Sequence, residues 1–196
     1  MTTPNLLRHA GFLFVILGLA ASALACGDDL DPRFRRPGAP FEATLFDLFM
    51  GPIDRPSALD VLPGAGSVGA PLAVRVDQTD QWDVAFAVVD GEPVWLPRGF
   101  FVEFEASSGI LPLDRGFDEI ERVPGDRTLY EMEQPVPVTV GTTYAIRSRS
   151  DPNLSLPCRI FAKLVVDELQ SDPVRIRVRF LWNPNCDQVL VTPEEG

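Results

Sequence analysis

The sequence predicts an all-β protein, a single antiparallel domain built as a sandwich or a partly open barrel, and three observations carry that prediction. Beyond residue 40, short segments rich in β-branched and aromatic side chains recur, several with apolar residues at the period of two that a half-buried strand requires. Nineteen prolines and fifteen glycines in 196 residues punctuate those segments. Past residue 40 no long stretch places apolar side chains at helical spacing. At 45% hydrophobic and 23% charged residues, the chain has enough apolar material for one domain with its own core.

The N-terminus reads as a targeting signal over residues 1–25. Arg8 supplies positive charge, and residues 10–25 follow as an uncharged apolar stretch too short to span a bilayer comfortably. Two cleavage readings compete at its end. Ala23-Leu24-Ala25 is an A-x-A site for an ordinary signal peptidase, whereas the same three residues followed by Cys26 resemble a bacterial lipobox, with Ala in place of the usual Leu. Cysteine parity favours the second: of Cys26, Cys158 and Cys186, lipidation of Cys26 leaves an even pair in an exported protein. Residues 26–40 then form a Pro-rich, charged tether that holds the domain clear of a membrane, or a disordered start of no special use.

The domain is assigned to residues 41–196. Residues 41–49 and 117–122 have the composition of a helical turn or two. Strands are expected at 72–76, 82–89, 100–105, 136–140, 142–149, 158–166 and 174–182. Within 82–89, alternation puts Trp82, Val84 and Phe86 on the core face and Asp83, Ala85 and Ala87 on the other. Asp90-Gly91 is a turn that returns Val94, Trp95 and Leu96 antiparallel to it. The last strand has the plainest pattern: Val174, Ile176, Val178, Phe180 and Trp182 alternate with Arg175, Arg177, Arg179 and Leu181. Facing residues of a hairpin have a constant index sum, and Cys158 with Cys186 gives a midpoint at residue 172, inside the turn signal formed by Gln170, Ser171, Asp172 and Pro173. The last two strands are therefore expected to pair, with a Cys158–Cys186 disulfide closing their open end. A metal site on the two thiols lacks His or further Cys partners.

Several landmarks in this order resemble the HmuY-like haem-binding lipoproteins over roughly residues 73–184. Trp82-Asp83-Val84-Ala85-Phe86 matches a strand of that family, Ser107-Ser108-Gly109 its following turn, and Tyr144-Ala145-Ile146-Arg147, Phe161-Ala162-Lys163-Leu164 and residues 175–180 its later strands. The resemblance implies an all-β, lipid-anchored envelope protein, with a ligand cleft near Trp95, Ser107, Ser108 and Gly109. It also implies haem as the ligand, held in the family by axial His or sometimes Met. The only histidine, His9, falls in the signal, so a two-histidine site is excluded and the sulfur ligands left are Met50 and Met132. Met132 lies in an acidic run and reads as an exposed loop residue rather than a ligand, and Met50, between Phe49 and Gly51, reads as core.

Catalysis is not expected. Without a mature histidine, Ser-His-Asp, Cys-His and imidazole–zinc arrangements are gone. Glu103 and Glu105 would share one face of a strand, yet such pairs arise by chance among 28 acidic residues and also fit a solvated face. Gly64, Gly66 and Gly69 lack the spacing and following helix of a phosphate-binding loop. The formal net charge of −11 argues against a nucleic-acid partner. Charge is uneven along the chain, because residues 142–186 carry seven basic residues (Arg147, Arg149, Arg159, Lys163, Arg175, Arg177 and Arg179) against four acidic ones. Those side chains either form a basic face for an anionic ligand, a haem propionate or an acidic partner, or pair internally with the N-terminal acids. Two functions stay open: a lipid-anchored binder of haem or another apolar ligand, which needs a cleft, and a structural or protein-interaction module, which needs a flat patch.

Overall fold

The structure, a computed structural model, describes residues 39–62, 72–150 and 158–192. The expected signal, Cys26 and nearly all of the tether lie outside them. Two five-stranded antiparallel sheets face each other, as all-β architecture requires. The first sheet has the order β1 (Phe41–Phe46), β10 (Val174–Asn183), β9 (Phe161–Ser171), β8 (Thr143–Arg147), β6 (Gly109–Leu113). The second runs β3 (Leu72–Val74), β2 (Ala58–Asp60), β4 (Val84–Val89), β5 (Glu92–Pro97), β7 (Val136–Pro137).

The β9–β10 hairpin follows the index argument closely. From Val178↔Val166 to Asn183↔Phe161 the paired indices sum to 344, the sum given by the two cysteines, and a bulge at Asp167 shifts the pairs nearer the turn by one. Cys158 and Cys186 are bonded beyond the last pair, with Cα atoms 4.9 Å apart. The apolar set of β10 enters the core between the sheets, where Ile176, Val178, Phe180 and Trp182 meet Phe86 and Trp95 from the opposite sheet. Asp90 and Gly91 both have positive φ, 52° and 86°, as the tight β4–β5 turn demands.

Three expectations are corrected. Residues 41–46 form strand β1 rather than a helical turn, because the free edge of β10 accepts them: Phe41, Ala43 and Leu45 keep the period of two, and the Phe41 ring sits 4.9 Å from that of Trp182. Residues 100–105 form no strand. A 3-10 turn at Arg98–Phe100 leads into a loop whose Phe100, Phe101 and Phe104 pack on the outer face of the second sheet, a spacing unlike period two, while Val102 is fully exposed. Trp82 does not share a face with Phe86. Asp83 sits in a bend before β4, so alternation starts only at Val84, and Trp82 packs on the outer face edge-on against Phe101 and Phe104.

Candidate functional site

At the end of the sandwich near the disulfide, the loops before β4, β6 and β9 and after β5 and β8 surround a cleft of about 620 Å³. Five arginines line it: Arg98, Arg127, Arg147, Arg149 and Arg159. Arg98 follows β5, Arg127 opens the 3-10 turn Arg127–Leu129, Arg147 and Arg149 come from the end of β8 and just past it, and Arg159 precedes β9; their surroundings divide them by role.

Arg149, just past β8, is committed to structure. Its guanidinium reaches Asp60 Oδ1 at 2.9 Å and Asp83 Oδ2 at 3.1 Å, and donates to Gln81 Oε1 at 3.1 Å. Asp83, wholly buried, also accepts from the main-chain N–H groups of Arg149 and Val61. Burial is the main reason that the Asp60 carboxyl is raised to about 6, against the opposing hydrogen bond and charge of Arg149. The network fastens the first sheet to the second beneath the cleft. Arg98 is likewise occupied: it donates to the main-chain carbonyls of Asp80 and Trp82 and lies 4.2 Å over the Phe104 ring.

Arg127, Arg147 and Arg159 are different. Arg147 ends β8 and is only 5% exposed, yet its sole side-chain hydrogen bond among the described residues runs from Nη1 to the Ser107 carbonyl, at 2.9 Å. Burial lowers its pKa, the positive charges of Arg159 and Arg127 lower it further, and the charges of Tyr130 and Asp187 oppose that in part. Arg127 donates to the Ala106 carbonyl and approaches Met132 Sδ at 3.3 Å. Arg159 follows Cys158, and its carbonyl accepts from the Asp187 N–H at 2.8 Å, which ties it to the disulfide segment. Among the described residues no carboxylate lies within 4 Å of these three guanidiniums.

The residues named from sequence divide. Ser107 lines the cleft. Ser108 is buried and donates to the Asp83 carbonyl at 2.6 Å, and Gly109 opens β6 where a Cβ would stand 2.8 Å from that of Tyr130, so both shape the wall without facing the space. Trp95 lines no part of the cleft. Its ring is wholly buried in the inter-sheet core, edge-on to Phe86 and Tyr144, because residue 95 points inward on β5. Met132 is a packed residue beside Tyr130 and Phe161 and not an exposed loop residue, whereas Met50, expected in the core, is 85% exposed in a turn after β1. Glu103 and Glu105 stand on the cleft loop and not on a strand.

Arg175, Arg177 and Arg179 do not join the cleft and do not need the N-terminal acids. They pair with Gln170, Glu168 and Asp167 of their own hairpin. Lys163 is buried and donates to the carbonyls of Phe117 and Ile120 at 2.8 and 2.7 Å. Arg98 and Arg127 carried no signal in the sequence, since loops far apart in the chain bring them to the site.

The cleft's lining does not fit a haem. No histidine lies among the described residues, Met132 Sδ is engaged by Arg127, and the lining is dominated by charged and polar residues where a porphyrin face needs apolar walls. Among the described residues, no three His, Cys, Asp or Glu side chains gather as a metal site would require. Comparisons with family models, curated proteins and solved structures give no match for this chain.

Proposed function

We propose that this chain is a non-enzymatic binding protein of the bacterial cell envelope, whose arginine-lined cleft takes an anionic ligand. One observation carries the reading. Arg127, Arg147 and Arg159 line one space and, among the described residues, none of them forms an ion pair within 4 Å, while the buried Arg147 makes a single side-chain hydrogen bond there. Packing like charges together costs free energy that a bound oxyanion offsets, and a guanidinium presents its donors in the fork that a carboxylate, sulfate or phosphate matches. Envelope placement rests on the apolar stretch over residues 10–25, the lipobox-like residues 23–26 and cysteine chemistry. Cys158 and Cys186 consume each other, which leaves Cys26 as the thiol for lipidation and for anchoring, in this reading at the outer membrane.

Calorimetric titration of the protein with succinate and with sulfate at low ionic strength tests the cleft. Binding is expected for at least one, weakened roughly tenfold or more in Arg147→Gln. Absence of binding by both refutes the anion reading. Haemin titrated in parallel is expected to leave its visible spectrum unchanged, and a sharp axial-ligand spectrum would restore the haem function that the family resemblance implies. A second reading, a protein-interaction module, is favoured by the exposed apolar side chains of Phe49, Met50, Ile53 and Val102.

A further inference from the structure

We infer that the ligand of this cleft is zwitterionic, carrying a carboxylate or similar oxyanion at one end and a cationic group at the other. The inference rests on the anion-binding reading and adds the second charge.

The space lined by these three arginines is also lined by the acidic residues Asp80, Glu103 and Glu105. Charges of both signs therefore share a volume of about 620 Å³, equivalent to a cube about 8.5 Å on a side. Among the described residues they form no ion pair with each other: the carboxylates that meet a cleft arginine within 4 Å are Asp60 and Asp83, both on Arg149. Charges of opposite sign that line one volume without an ion pair within 4 Å act on each other through it without satisfying each other.

A simple anion would satisfy the guanidiniums and be repelled by the acidic side, and a simple cation would meet the reverse. A molecule with both charges is favoured at both ends. Its oxyanion would lie against Arg147, the most buried of the three arginines, flanked by Arg127 and Arg159. Its cationic group would face the carboxylates of the 103–105 loop and Asp80. Phe104 and Ala106 line the space as well and offer apolar contact to a short carbon chain between the charges. The loop that carries the glutamates is held from behind: Phe101 and Phe104 pack on Trp82, and Arg98 stacks on Phe104. The acidic groups are thereby presented at a set place, although their side chains are exposed.

A matched series tests the inference on the intact protein: 6-aminohexanoate, hexanoate, which lacks the amine, and adipate, which replaces it by a second carboxylate. Affinities are read by calorimetry and checked by side-chain NMR of the arginines. The expected order is 6-aminohexanoate tighter than hexanoate by roughly tenfold, as one charge-assisted contact allows, with adipate weakest. The double variant Glu103→Gln, Glu105→Gln, confined to exposed positions, is expected to shrink that preference to within twofold while hexanoate binds as well as before or better. Arg147→Gln is expected to weaken all three. Equal affinities, or a preference for adipate that still depends on Arg147, overturn the zwitterion and leave the anion reading standing. If none of the three, nor succinate or sulfate, binds, both readings fall together.

Discussion

Replacing Arg149 by methionine would remove the charge that joins the two sheets beneath the cleft while keeping most of the side-chain length. Its guanidinium contacts two buried carboxylates, Asp60 at 2.9 Å and Asp83 at 3.1 Å. Without it both remain as neighbouring, uncompensated charges, and breaking a buried pair from one side costs about 3–5 kcal/mol. At a urea dependence of about 2 kcal/mol per molar, the unfolding midpoint would fall by about 2 M. The loss should depend on pH in a stated direction. In the intact protein the Asp60 carboxyl titrates at about 6, above its ordinary 3.8, so the folded state binds this proton more tightly than the unfolded chain. The resulting contribution to stability is fully present below pH 4 and is lost as pH rises through 6, a span worth about 3 kcal/mol at 1.36 kcal/mol per unit. Methionine at 149 removes the hydrogen bond and positive charge that pull this carboxyl down, so it should titrate higher still. The deficit of Arg149→Met, measured by urea denaturation of both proteins at pH 8 and pH 5, should therefore be larger at pH 8. A deficit under 1 kcal/mol at pH 8, or one that grows on acidification, would refute this account of the network.

Three further outcomes are expected. Cys158→Ser with Cys186→Ser should lower stability by roughly 3–4 kcal/mol through lost loop closure, read as a lower thermal midpoint, and an unchanged midpoint would contradict the hairpin clamp. Lys163 is the only lysine of the chain and is buried on two carbonyls, so an amine-reactive acylating reagent should leave it unmodified in the native protein and modify it in urea; rapid native labelling would disprove its burial. Trp95→Ala should cost about 3–5 kcal/mol as a core truncation, and its effect on succinate or sulfate binding should be no greater than that of a core change remote from the cleft.

The sequence by itself determined the class of this protein and the register of its last hairpin, because both depend on local periodicity. Alternation along residues 174–182 marks an inward face whatever the strand pairs with, and two cysteines symmetric about a turn can bond in only one register. Its errors fall where a distant partner overrode local pattern. Residues 41–46 became a strand because β10 offered an edge; residues 100–105 left the sheet because Trp82 offered an aromatic surface. Trp82 itself was misassigned because the bend at Asp83 is imposed by groups from residues 61 and 149. The candidate site shows the same division. Arg147, Arg149 and Arg159 stood out as a basic excess, but their roles depend on their neighbours: Arg149 found one carboxylate on β2 and another in the bend before β4, whereas Arg147 found two more arginines. Only the tertiary structure decided which charges are neutralised and which are left facing a cleft, because the Coulomb energy of a side chain is set by groups a few ångströms away in space, and those groups lie tens of residues away in the chain.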